Sequence, residues 1–226
     1  MGTPYYRHER CGAKRDKMKP ELMPTSVTES LSPPASQYPA RKRWTRAECE
    51  RLEGLGIFDQ QHVELIEGDL IDKLGKTRPH VDTAALLFGW LMPVFGGRRV
   101  NHAAPIDVAP EDNRTNQPEP DLIVLKREYS ESPAYRSATP QPRDLDLVLE
   151  ISDTTLAFDL TIKAALYARA GIVEYWVFDL TGRRLIVLRE PQGGRYVTIT
   201  SYNERESVAP LAAPASSLPV ATVFPA

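Results

Sequence analysis

The stretch LDLVLEISDTTLAFDLTIKAALYARAGIVEYWVFDL, residues 145–180, decides the fold. Residues 145–151 are apolar, β-prone and short enough for a buried strand. Ser152 to Thr155 supplies helix-start side chains. Ile162, Ala165, Leu166 and the pair Arg169-Ala170 then follow a helical period, and Gly171 stands where a helix C-cap glycine belongs. Residues 172–180 form a second apolar and aromatic run. Strand, crossover helix and strand of this size predict one βαβ unit.

The charges of this unit fall in unusual places. Glu150 lies near the end of a run that is otherwise suited to burial, and a buried carboxylate is costly unless it is paired or binds a cation. Lys163 sits well inside the helix, four residues beyond Asp159, so the two can meet on one helix face. Tyr167 and Ala170 share that face and read as inward residues, which turns Lys163 toward the sheet.

A second acidic strand start lies upstream. In Glu119-Pro120-Asp121-Leu122-Ile123-Val124-Leu125, the proline suits only a first or edge position of a strand. Two carboxylates at the ends of adjacent buried strands, with a lysine on the next helix, make a candidate cation and phosphate site. Hard divalent ions such as magnesium take oxygen ligands and keep some water. They lower the pKa of a bound water and offset charge on a phosphoryl oxygen.

Several further segments carry a resemblance. They are Pro120-Asp121, Glu150-Ile151-Ser152, Asp159 and Lys163, then Tyr167-Ala168-Arg169-Ala170-Gly171-Ile172 and Glu174-Tyr175-Trp176-Val177-Phe178-Asp179. In this order they resemble the Uma2 family of the PD-(D/E)XK nuclease superfamily. The similarity runs from about Trp44 to the C-terminus and is densest between Pro120 and Asp179. It implies an α/β fold of restriction-endonuclease-like type, with a central mixed β-sheet flanked by helices. It also implies a metal-dependent endonuclease that hydrolyses DNA phosphodiester bonds. Asp121 and Glu150 would bind Mg²⁺, or Mn²⁺ in its place, with the Ile151 backbone carbonyl as third ligand. Lys163 would serve the attacking water or the developing charge. The superfamily lysine is expected two residues after the glutamate, where this chain has Ser152, so the resemblance assigns that role to Lys163 from the helix. Glu64, His80 and Asp159 match further positions of the family pattern or lie beside the site.

Composition sets the remaining bounds. The chain has 226 residues, 42% of them hydrophobic, enough for one compact domain with tails. Its net charge of −2 is unevenly spread, because residues 1–46 hold ten Lys or Arg against four Asp or Glu. The remainder therefore carries about −8, and the basic start reads as a disordered tail over residues 1–43 rich in Pro, Ser and Thr. Residues 44–226 read as the nuclease-like domain. The two cysteines, Cys11 and Cys49, suggest neither a disulfide framework nor a zinc site. No apolar run approaches the roughly 18 residues of a membrane span, and there is no signal-peptide pattern, so a cytoplasmic location is expected.

Thr45 with Glu48 predicts a capping box at the start of the first helix. Residues 63–66 and 69–72 around Glu67-Gly68 predict a tight hairpin that carries Glu64. Pro79 and His80 open a helix reaching Phe95. Residues 98–108 read as a strand ending near Asp107, and residues 126–144 as a long polar connection. Residues 183–189 and 195–200 read as antiparallel strands, and residues 218–224 as a segment packing back on the body.

Two other functions remain open at this stage. One is a catalytically inactive protein of the same fold that binds DNA or serves assembly, which the acidic body and Ser152 favour. The other is a metal-free hydrolase using Asp121 and Glu150 as an acid/base pair. DNA is the expected partner, with no membrane, and a homodimer is left open.

Overall fold

The computed structural model describes residues 40–59, 61–73, 75–128 and 138–225. The expected tail, except its last residues, and much of the connection over 126–144 lie outside them. Lys42 pairs with Glu48 at 2.6 Å, and Arg43 bonds to the Glu67 carbonyl and the Asp69 carboxylate.

Ten strands and three helices carry the described chain. Helix α1 (Arg46–Gly54) starts at the Thr45–Glu48 capping box. Strands β1 (Val63–Ile66) and β2 (Asp69–Asp72) form the predicted hairpin. Its turn residues Glu67 and Gly68 both have positive φ, 50° and 78°, as a tight primed turn requires. Helix α2 (Arg78–Phe95) is capped by Thr77 and ends at Gly96. A six-stranded mixed sheet follows, in the order β3 (Val100–His102), β4 (Leu122–Leu125), β5 (Leu145–Ser152), β6 (Glu174–Asp179), β7 (Arg184–Gln192), β8 (Arg195–Asn203). Only β5 and β6 are parallel neighbours. Short strands β9 (Ser207–Val208) and β10 (Leu218–Pro219) pair near the C-terminus.

The crossover between β5 and β6 is helix α3, continuous in three segments. These are Leu156–Phe158, a π-helical stretch Asp159–Lys163, and Ala164–Arg169. The helical period of the sequence gives no sign of the wider turn. Such π segments occur often at functional sites, and this one holds Asp159 and Lys163, both buried.

Side-chain alternation along the strands separates two cores. One face of the sheet, with Leu122, Leu147, Leu149 and Trp176, packs on Leu87 and Leu91 of α2 and on Val220 and Val223. The other face, with Ile123, Val148 and Val177, packs on Ala164, Tyr167 and Ala168 of α3. A small cluster of Ile66, Val108 and Leu166 joins the hairpin to α3. The result is an α/β sandwich of the expected class.

Two boundaries near the site differ from the sequence reading. The strand expected over 98–108 stops at His102, because Ala103 takes a positive φ of 45° and Pro105 has no N–H for a ladder. Asp107 therefore ends no strand and pairs instead with Arg46 at 2.6 Å. Ser152 closes β5 rather than opening the helix, since β5 pairs with β6 as far as Ser152↔Asp179.

Candidate active site

Four carboxylates and one lysine converge where β4 begins and β5 ends. The antiparallel register pairs Leu122 with Leu149. One place further along, Asp121 stands opposite Glu150, so both side chains leave the sheet on the same face. It is the face that carries Ile123, Val148 and the crossover helix. Glu64 from β1, Asp121, Glu150, Asp159 and Lys163 all line one cavity of about 590 Å³, and each is nearly buried.

Glu150 Oε1 accepts from Lys163 Nζ at 2.8 Å and from the Tyr167 hydroxyl at 3.0 Å. Its Oε2 has no hydrogen-bond partner among the described residues. Asp121 Oδ2 accepts from His80 Nε2 at 3.1 Å and from the Ile151 N–H at 2.9 Å. Among the described residues its Oδ1 meets only the Lys76 ammonium, at 3.4 Å. Each of these carboxylates thus has one oxygen pinned by two donors and one left for another ligand.

Glu64 and Asp159 are held differently. Glu64 Oε1 lies 2.9 Å from Lys163 Nζ, and its Oε2 accepts the Glu119 N–H at 3.2 Å. Asp159 Oδ2 accepts from the hydroxyls of Ser152 at 2.7 Å and Thr155 at 2.6 Å, while Oδ1 lies 3.9 Å from Lys163. Both oxygens of each are engaged, so these two form the seat of Lys163 together with Glu150 Oε1. Ser152 spends its hydroxyl on Asp159, and the ammonium reaches Glu150 from α3.

Charge in this cluster is crowded. Burial alone lowers an ammonium pKa, yet Glu150, Glu64 and Asp159 outweigh it and raise that of Lys163, which stays charged. Burial, opposed by Lys163 but reinforced by Asp159, Asp121 and Glu64, pushes the Glu150 carboxyl up to about 8. Asp159 is also raised, mainly by burial. Burial pushes Asp121 the same way, but the hydrogen bond and charge of His80 and the Ile151 N–H hold it below the ordinary carboxylate value.

A magnesium-like ion fits this donor set. It needs only one or two carboxylates and keeps several waters, and Asp121 and Glu150 each offer a hard oxygen in a site with excess negative charge. Among the described residues no three His, Cys, Asp or Glu side chains form a ready ligand set, so water would complete the coordination. Ile151 meets Asp121 through its N–H and lines the same cavity.

All seven expected site residues, Ile151 included, line this cavity. Tyr167, Thr155 and Lys76 were not expected at the site. Tyr167 reads as core in the sequence because its spacing shows only that it faces inward. Its hydroxyl is the clue, since a buried tyrosine O–H finds a polar partner.

The Uma2 family model, described as "Putative restriction endonuclease", matches residues 46–221. The chain belongs to the Uma2 family. The fold of the chain is also similar to that of a solved structure described as a putative nuclease belonging to DUF820, from Anabaena variabilis ATCC 29413. That similarity has a TM-score of 0.55 at 16% identity and covers 73% of this chain and 90% of the other. None of the curated proteins compared with the sequence matches it. No described helix is long and apolar enough to cross a membrane.

Proposed function

We propose that this Uma2 chain is a metal-dependent endonuclease that hydrolyses phosphodiester bonds of DNA. The observation that carries this reading is the pair of half-pinned carboxylates, Asp121 and Glu150, facing each other across β4 and β5 beside a buried, charged lysine. Asp121 Oδ1, Glu150 Oε2 and the Ile151 carbonyl would hold Mg²⁺ or Mn²⁺. When bound, that ion would acidify a water and neutralise a phosphoryl oxygen.

The chain's own residues do the rest. Lys163 donates toward the attacking water or the non-bridging phosphate oxygen, where negative charge builds. Glu64 and Asp159 keep it charged and aimed. Water loses a proton to solvent as its oxygen bonds to phosphorus, the bond from phosphorus to the leaving oxygen breaks, and that oxygen takes up a proton from a second water. His80 and Tyr167 hold the two carboxylates in one orientation throughout.

The test is cleavage of supercoiled plasmid and labelled oligonucleotides with Mg²⁺, with Mn²⁺ and in EDTA, beside Asp121→Asn. Metal-dependent cleavage lost in the variant is the expected result. DNA binding without cleavage in any metal supports the inactive binding module instead. Cleavage that persists in EDTA supports the acid/base pair, a reading the opposite pKa directions of Asp121 and Glu150 would also serve.

A further inference from the structure

The form of the cavity limits which DNA can reach the carboxylates. Asp121 and Glu150 are each 4% exposed and line it. A cavity of about 590 Å³ falls within the range that takes one small-molecule-sized group. A phosphate of an intact duplex is flanked on both sides by stacked, paired nucleotides that would have to enter with it.

Charge leads to the same restriction. The lining holds seven Asp or Glu against three Lys, and Lys163 is already committed to Glu64 and Glu150. A protein that binds duplex DNA along its backbone neutralises several phosphates with Lys and Arg. This wall would repel that many phosphates, and its other two lysines are themselves paired, Lys73 with Glu119 and Lys76 with Asp121, each at 3.4 Å.

One wall is apolar instead. Phe158 and Ile71 pack against the Ile66, Val108 and Leu166 cluster and also line the cavity. A half-buried phenylalanine fixed from behind and open in front is a stacking platform, and base–aromatic stacking is tolerant of sequence. Phe158 directly precedes Asp159 in α3, so a base resting on it would bring its own phosphate close to the carboxylates and Lys163.

Building on the nuclease reading, we infer that the substrate is unpaired DNA. One unstacked nucleotide of a single strand or frayed end enters the cavity, its base on Phe158 and Ile71 and its phosphate between Asp121, Glu150 and Lys163. Intact duplex is excluded by shape and by charge.

The experiment compares three labelled DNAs of one sequence: a single strand, a duplex with a single-stranded overhang, and a blunt duplex. Cleavage is followed with Mn²⁺, and binding by fluorescence anisotropy with Ca²⁺. Single strand and overhang should be cut and bound at least about tenfold better than blunt duplex. Phe158→Leu keeps the apolar packing and should weaken single-strand binding by about tenfold, while Phe158→Tyr should restore it. Equal or better use of the blunt duplex overturns the inference and leaves the nuclease reading standing, as does unchanged binding by a folded Phe158→Leu. If no DNA is cut, the nuclease reading fails, and the order of the anisotropy affinities still decides whether the cavity selects unpaired DNA.

Discussion

Lys163 Nζ lies 2.8 Å from Glu150 Oε1, a contact between the end of β5 and the π-helical stretch of α3. The same ammonium is 2.9 Å from Glu64, so it fastens the hairpin, the sheet and the crossover helix at one point. One cation thereby serves Glu64, Glu150 and, at 3.9 Å, Asp159. Such a cluster is costly to bury and holds only while the partners remain complete.

Lys163→Met removes the cation and leaves its carboxylates unpaired. The folded state should lose roughly 3–5 kcal/mol in urea denaturation at pH 8. Cleavage should fall at least about a hundredfold, because the donor to the reacting phosphate is gone. Mn²⁺ binding, measured by calorimetry, should persist, since Lys163 is not a ligand. Cleavage at the parent rate would end its catalytic assignment.

Glu150→Gln acts in the opposite direction on stability. The Glu150 carboxyl is pushed up to about 8 from an ordinary 4.5 by burial and by its acidic neighbours. A group raised in the folded state contributes its stability in full below its unfolded pKa and loses it as pH rises through the folded value. The metal-free protein should therefore lose melting temperature between about pH 5 and pH 9, and Glu150→Gln should flatten that decline. The variant should bind Mn²⁺ far more weakly and cut no DNA. A melting curve equally steep in both proteins would show that Glu150 is not the titrating group.

The sequence makes much of this site visible, for identifiable reasons. Asp121 and Glu150 interrupt apolar runs at strand ends, and Lys163 shares a helical face with Tyr167, which marks all three as candidates, while their proximity depends on the pairing of β4 with β5. The hairpin was legible from Glu67-Gly68, whose positive φ values leave few other conformations. The π turn was not legible, because it changes the helix by a single hydrogen-bond step that no residue type announces. Nor was the end of β3 at Ala103, since a positive φ on an alanine is set by tertiary contacts and not by propensity. The division of labour among the carboxylates depends on single oxygens, and spacing cannot supply it.

His80→Ala tests the orientation of Asp121. It removes one of the two donors that pin Oδ2 and leaves the Ile151 N–H. Loss of such a supporting partner costs about 10–100-fold in metal affinity. Mn²⁺ affinity should fall within that range with a proportionate rise in the Mn²⁺ concentration needed for half-maximal cleavage. His80→Gln can offer an amide N–H to the same oxygen and should recover part of the loss. Unaltered Mn²⁺ affinity in His80→Ala would make the histidine a structural residue only.

Tyr167→Phe isolates the second donor to Glu150. The ring is fully buried and meets Tyr175 edge to face at 5.0 Å, and a phenylalanine preserves that packing. Only the hydroxyl, 3.0 Å from Glu150 Oε1, is removed. Hydrogen bonds to a charged group contribute about 1.5–3 kcal/mol, so the melting temperature should drop modestly, most visibly where Glu150 is ionised. With Lys163 as its one remaining donor, Glu150 can rotate, and Oε2 no longer keeps a fixed position toward the ion. Mn²⁺ affinity should weaken about tenfold while single-stranded DNA binding in Ca²⁺ at saturation stays near the parent value. A loss of stability with no change in Mn²⁺ affinity would mean that Lys163 alone orients the carboxylate and that Tyr167 serves the core.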